Sequence, residues 1–145
     1  MSGREEQALA ERVVSAMMAK DTFSRWLGID VVEVLPHAAT VRLTVRDDML
    51  NGFGVCHGGV PFSLADSALA FASNTHGTIT VSIENTITYP RKVVGGDVLV
   101  AAAVQESATN RLGFYRVTVR RGDEVVALFR GTVYKTEKPL FPDVE

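Results

Sequence analysis

The chain has 145 residues, 46 % of them hydrophobic, with a formal net charge of −2 and one cysteine. That length supports one domain with a real core, and the near-balanced charge gives no global attraction to nucleic acid or anionic membranes. No apolar run is long enough to cross a bilayer, and a single cysteine excludes an internal disulfide and fits a reducing compartment. Ser2 to Gln7 is polar and charged, so no secretory leader is visible and a cytoplasmic location is expected.

Leu9, Val13, Ala16 and Met17 form one stripe over Glu5 to Met18, which predicts an amphipathic N-terminal helix. Asp21 is positioned to cap a short second helix through Phe23, Trp26 and Leu27, ended by Gly28. Ile29 to Val34 and Ala39 to Val45 read as strands split by Pro36-His37. In the second, Val41, Leu43 and Val45 alternate with Arg42, Thr44 and Arg46. A loop follows from Asp47 to Cys56.

Val60 to Ser73 is helical in pattern and apolar nearly all round, yet carries one carboxylate, Asp66. A helix with no wet face is normally enclosed, and an ionisable group within it is costly unless something requires it. Four strands follow. Thr78 to Tyr89 sets Ile79, Val81, Ile83 and Ile87 on one side, the side expected to pack, and Pro90 stops it. Asp97 to Glu106 is apolar on both faces, so both are expected to be covered. Arg111 to Arg120 turns through Arg121-Gly122-Asp123 into Glu124 to Lys135 as a hairpin. The tail after Thr136 holds Pro139 and Pro142 and is expected to be loose. The order predicts an α+β architecture, a curved antiparallel sheet wrapped around one long buried helix, as a single domain over residues 1–136 with a tail at 137–145. Curved sheets of this kind pair edge to edge, which favours a twofold dimer.

Leu50-Asn51-Gly52, then Cys56-His57-Gly58-Gly59, then Phe62-Ser63-Leu64-Ala65-Asp66, with Ala68, Ala70, Ala72 and Asn74 following, resembles the hotdog-fold acyl-CoA thioesterases. Within them it is most similar to the phenylacetic-acid-degradation (PaaI) type, and Ala127-Leu128-Phe129-Arg130-Gly131 adds to the match. The resemblance implies that Asp66 is the catalytic carboxylate. It implies that the Gly59 amide faces the thioester carbonyl, that Gly58 shapes the turn, and that His57 and Asn51 orient the thioester or the attacking water. Ser82 aligns with a serine that some relatives contribute from a neighbouring subunit. The implied reaction adds water to an acyl-CoA, phenylacetyl-CoA or a ring-hydroxylated relative, within a dimer or tetramer, with no metal or redox cofactor.

That chemistry suits these residue types. The first turn of a helix offers unpaired N–H groups and partial positive charge, and glycine lets a substrate approach them closely. Asp66, roughly two turns on at about 3.6 residues per turn, is a general base for water or a nucleophile forming a mixed anhydride; both routes stand open. Asn51 is equally a turn residue before Gly52. Arg91, Lys92 and Arg111 are candidates for the coenzyme A phosphates or simply solvated charges, and Phe53 and Phe62 are candidates for the acyl pocket, with core packing the alternative for Phe62. Cys56 reads as an inert buried thiol, and His37, His57 and His76 share no metal-ligand spacing. Two rival functions remain: a non-catalytic acyl-CoA sensor, and a hotdog dehydratase acting on hydroxyacyl thioesters.

Overall fold

The computed structural model describes residues 1–141. Helix α1 spans Gly3–Lys20, two residues beyond its expected extent at each end. The Ser2 hydroxyl accepts from the Glu5 N–H at 3.2 Å while the Glu5 carboxylate takes the Ser2 N–H at 3.3 Å, a capping box that sets the helix start. Helix α2, Thr22–Leu27, is capped by Asp21 and ended by Gly28 in the left-handed region, φ 83°. The strands are β1 (Asp30–Leu35), β2 (Ala38–Thr44), β3 (Thr78–Thr88), β4 (Val98–Ala108), β5 (Leu112–Arg121) and β6 (Glu124–Pro139), with α3 (Gly59–Asn74) between β2 and β3. A single 3-10 turn, Asp47–Met49, interrupts the loop before α3.

The six strands form one antiparallel sheet in the order β1-β2-β4-β5-β6-β3, and α3 packs against every strand from β2 to β6. Leu64, Ala65, Ala68, Leu69, Phe71 and Ala72 of α3 are fully buried against Val41, Leu43, Leu99, Val117 and Phe129 of the sheet. The sheet wraps the helix, as the element order predicts. α3 is nevertheless not covered all round: Phe62, Asp66 and Ala70, four residues apart and therefore on one face, are only half-buried.

Three strand expectations need correction. In the first half of β3 the side chains turned towards the helix are polar, whereas Ile87, beyond the bulge, is half-buried against the core as expected. Thr80 is buried, whereas Val81 and Ile83 are 46 % and 57 % exposed, because the strand is an edge whose register slips between Ser82 and Glu84. In β4, Leu99, Ala101 and Ala103 are buried but Val98 is exposed and Val100 and Ala102 only half-covered, since nothing packs on the outer face. β6 continues to Pro139, past the expected end of structure at Thr136, because Thr78 pairs with Pro139 and the Thr136 hydroxyl donates to the Ile79 carbonyl at 2.6 Å. The tail expected over 137–145 therefore begins in this strand, and residues 142–145 lie outside the described residues.

The two margins of the sheet differ. β1 is short, carries a bulge between Val31 and Glu33, and lies against α1, whose Gln7 amide donates to the Val34 carbonyl at 2.7 Å. β3 is 11 residues long and runs along the opposite margin.

Candidate active site

Asp66 projects from α3 towards β3. Its Oδ1 accepts a long hydrogen bond from Asn85 Nδ2 at 3.4 Å, and the Asn85 Oδ1 accepts from the Ser82 hydroxyl at 2.8 Å. Ser82 thus reaches Asp66 of its own chain through Asn85. Burial pushes the Asp66 carboxyl above the ordinary carboxylate range; Asn85 opposes that rise and the Asp21 carboxylate adds to it.

At the start of α3, close approach explains both glycines. A Cβ on Gly58 would lie 3.2 Å from the Tyr89 hydroxyl, which donates to the Gly58 carbonyl at 2.7 Å. A Cβ on Gly59 would lie 3.0 Å from His57 Nδ1, which accepts the Gly59 N–H at 2.9 Å. The amide expected to face a thioester carbonyl is therefore engaged by the exposed His57 ring. Asn51 Oδ1 accepts from the N–H groups of Phe53 (2.9 Å) and Val55 (3.3 Å), so its oxygen closes the turn, while its NH2 makes no hydrogen bond among the described residues.

The flanking candidates separate. Arg91 and Lys92 follow Tyr89 at the glycine end of α3. The Arg91 guanidinium is tied to the Val125 carbonyl at 2.8 Å and to Glu124 at 3.5 Å. Arg111 is elsewhere. It pairs with Glu137 at 2.8 Å and, with His37, His76 and Lys135, lines a crevice of about 220 Å³ at the C-terminal end of α3, because the β4–β5 turn lies at that end of the sheet. It does not join the group around Gly59. Phe53 is 92 % exposed, its side chain standing on the turn closed by Asn51. Phe62 is half-buried, packs edge-on to Phe129 with ring centroids 5.3 Å apart, and lies on the same partly uncovered face of α3 as Asp66. Cys56 is buried and its thiol is pushed up to about 11, chiefly by desolvation, which keeps it protonated and unreactive.

Asn85 and Tyr89 escaped the sequence reading. Asn85 lies in a strand whose alternation sets Ile79, Val81, Ile83 and Ile87 on one side and Thr80, Ser82, Glu84, Thr86 and Thr88 on the other, with Asn85 assigned to neither, and Tyr89 stands next to Pro90 at a strand end. The bond from Tyr89 to Gly58 spans 31 residues, and no local pattern announces it. A cavity of about 610 Å³ between α1 and β1 is lined by Val14, Met18, Ile29 and Val34 among others, and Asp66 is not part of its lining.

A buried helix wrapped by one antiparallel sheet, with glycines at its start and a carboxylate further along it, defines the hotdog class. Residues 53–128 match the model of the thioesterase superfamily, and the chain belongs to that family. It is 39 % identical over 121 residues to acyl-coenzyme A thioesterase PaaI of Escherichia coli K12, covering 83 % of this chain and 86 % of that protein. The structure of E. coli PaaI, from the phenylacetic acid degradation operon, superposes with a TM-score of 0.89 at 35 % identity, covering 92 % of this chain and 97 % of the other. A Streptococcus mutans protein solved with acetyl CoA is similar at a TM-score of 0.73 and 27 % identity, covering 77 % of this chain and 90 % of that one.

Proposed function

We propose that this thioesterase hydrolyses acyl-CoA thioesters of aryl-acetyl type, phenylacetyl-CoA or a ring-hydroxylated relative, adding water to give the carboxylic acid and free coenzyme A. The observation that carries this reading is Asp66, a half-buried carboxylate on α3 that receives a hydrogen bond from Asn85, in a chain of this superfamily. Similarity to PaaI supports the acyl group, and the acetyl CoA on the Streptococcus mutans neighbour supports the coenzyme A portion.

The carbonyl oxygen gains negative charge as the tetrahedral intermediate forms, and an N–H at the start of a helix opposes that charge. The Gly59 N–H already points at an acceptor, His57 Nδ1. A thioester oxygen is an acceptor of the same kind and takes that bond when the exposed ring yields it. Asp66 removes a proton from water, or attacks the carbonyl carbon itself and is then released by water. In both cases the thiolate leaves and is protonated, with no metal or redox cofactor in the scheme.

Gly59 and Asp66 are seven residues apart, about 10 Å along the helix at 1.5 Å per residue. The Asp66 face of α3 is partly uncovered and β3 beside it is an edge, so a second copy docked along β3 would complete the enclosure. The working unit in this proposal is a dimer, with further pairing to a tetramer compatible with it.

Asp66→Asn keeps the volume and removes the base, and release of free thiol from phenylacetyl-CoA, followed with a thiol-trapping dye, is expected to fall at least about a hundredfold. Turnover near that of the unmodified protein would refute the role of Asp66. Micromolar acyl-CoA binding without thiol release by the unmodified protein would favour a sensor, and loss of water from a hydroxyacyl-CoA without thiol release a dehydratase.

A further inference from the structure

We propose that Asn85 is a positioning residue for Asp66, its carboxamide fixed by Ser82 so that an N–H faces the carboxylate and favours the anion needed for thioester hydrolysis. The proposal rests on Asp66 being the acting group, as read above. A carboxamide has one accepting end and one donating end. The Ser82 hydroxyl donates to Oδ1 at 2.8 Å, which leaves Nδ2 as the end turned to Asp66 at 3.4 Å. A carboxylate oxygen accepts that N–H, whereas a carboxylic acid O–H on the same oxygen would meet donor with donor. In this orientation the Ser82–Asn85–Asp66 chain favours the ionised form, because a charged oxygen accepts the N–H more strongly than the carbonyl oxygen of the neutral acid does.

Two backbone features serve this one amide. Ser82 and Asn85 are three residues apart, a spacing that in a regular strand puts side chains on opposite faces. The irregularity between Ser82 and Glu84 brings both to the same side. Across the ladder Asn85 pairs with Gly131, where a Cβ would stand 2.8 Å from Asn85 Oδ1 and collide with Leu69. The sheet bends and empties a position where this side chain sits. Among the influences on Asp66, burial and Asp21 favour the neutral acid and Asn85 alone favours the anion.

The test compares Asn85→Leu, close in size with no hydrogen bond, and Asn85→Asp, isosteric with a like charge, in the full-length protein. The Asp66 carboxyl is titrated by carbon NMR, and the acid limb of kcat/KM for phenylacetyl-CoA is measured alongside. Both midpoints are expected to move to higher pH, by roughly one unit in Asn85→Leu and further in Asn85→Asp. Ser82→Ala, which leaves the amide in place but unpinned, is expected to move them in the same direction by less, and it serves if the Asn85 variants fail to fold. A purely structural Asn85 would lower stability and leave the midpoints where they are, and unchanged midpoints in folded variants overturn the proposal. Failure of the underlying reading looks different: Asp66→Asn would then turn over normally, whatever the NMR titration of Asp66 does in the Asn85 variants.

Discussion

Asp66 sits where burial favours its neutral form, so keeping it ionised for chemistry works against folding. A carboxyl raised in the folded state binds its proton more tightly there than in the unfolded chain. Its contribution to stability is complete below the ordinary value of 3.8 and is lost as pH rises through the higher folded value. Asp66→Asn carries no such charge. It is expected to melt at a higher temperature than the unmodified protein at pH 7, with the gap closing as pH falls towards 4, a comparison that calorimetry makes directly. Equal melting temperatures at pH 7 would mean that Asp66 is ionised without cost. This residue was legible in the sequence because a lone acid in an apolar helix is conspicuous. Its partner Asn85 was not, since an asparagine among threonines in a strand carries no signal until the fold brings it across from Asp66.

The elements themselves were read largely from periodicity, and α2, α3, β2 and the β5–β6 hairpin follow that reading closely. β3 did not. Its apolar positions suggested an inward face of Ile79, Val81, Ile83 and Ile87; Ile87 packs on the core, but the polar Thr80, Ser82 and Asn85 are turned to the helix side, where Asp66 lies. Alternation reports which face is apolar and presumes that this face packs; at an edge strand beside a polar site the presumption fails. The β3–β6 ladder also predicts a sensitive position. Gly131→Ala drives a methyl group into Leu69 and Asn85, and overpacking of this kind costs about 1–3 kcal/mol. The urea midpoint should fall accordingly, and Gly131→Ala should lower it less in a Leu69→Ala background than in the unmodified protein. An equal loss in both backgrounds would place the strain elsewhere.

At the scale of the molecule, the proposed dimer depends on β3, whose exposed Val81 and Ile83 lie on a free edge. Ile83→Lys sets a charge on that edge. Light scattering is expected to report a shift from dimer or tetramer to monomer, together with loss of thiol release; an unchanged assembly would move the interface off β3. No helix among the described residues is long and apolar enough to cross a membrane. The opposite strand, β1, tells the other half of the story: it is kinked, brief, and has one of its carbonyls already claimed by Gln7. A ribbon that accepts a neighbour along only one border cannot extend its sheet after the first joining, so a tetramer of the proposed dimer would form through another face. In the proposed dimer two molecules meeting there would close on each other about a rotation axis, and the same asymmetry would keep the pair from becoming a filament.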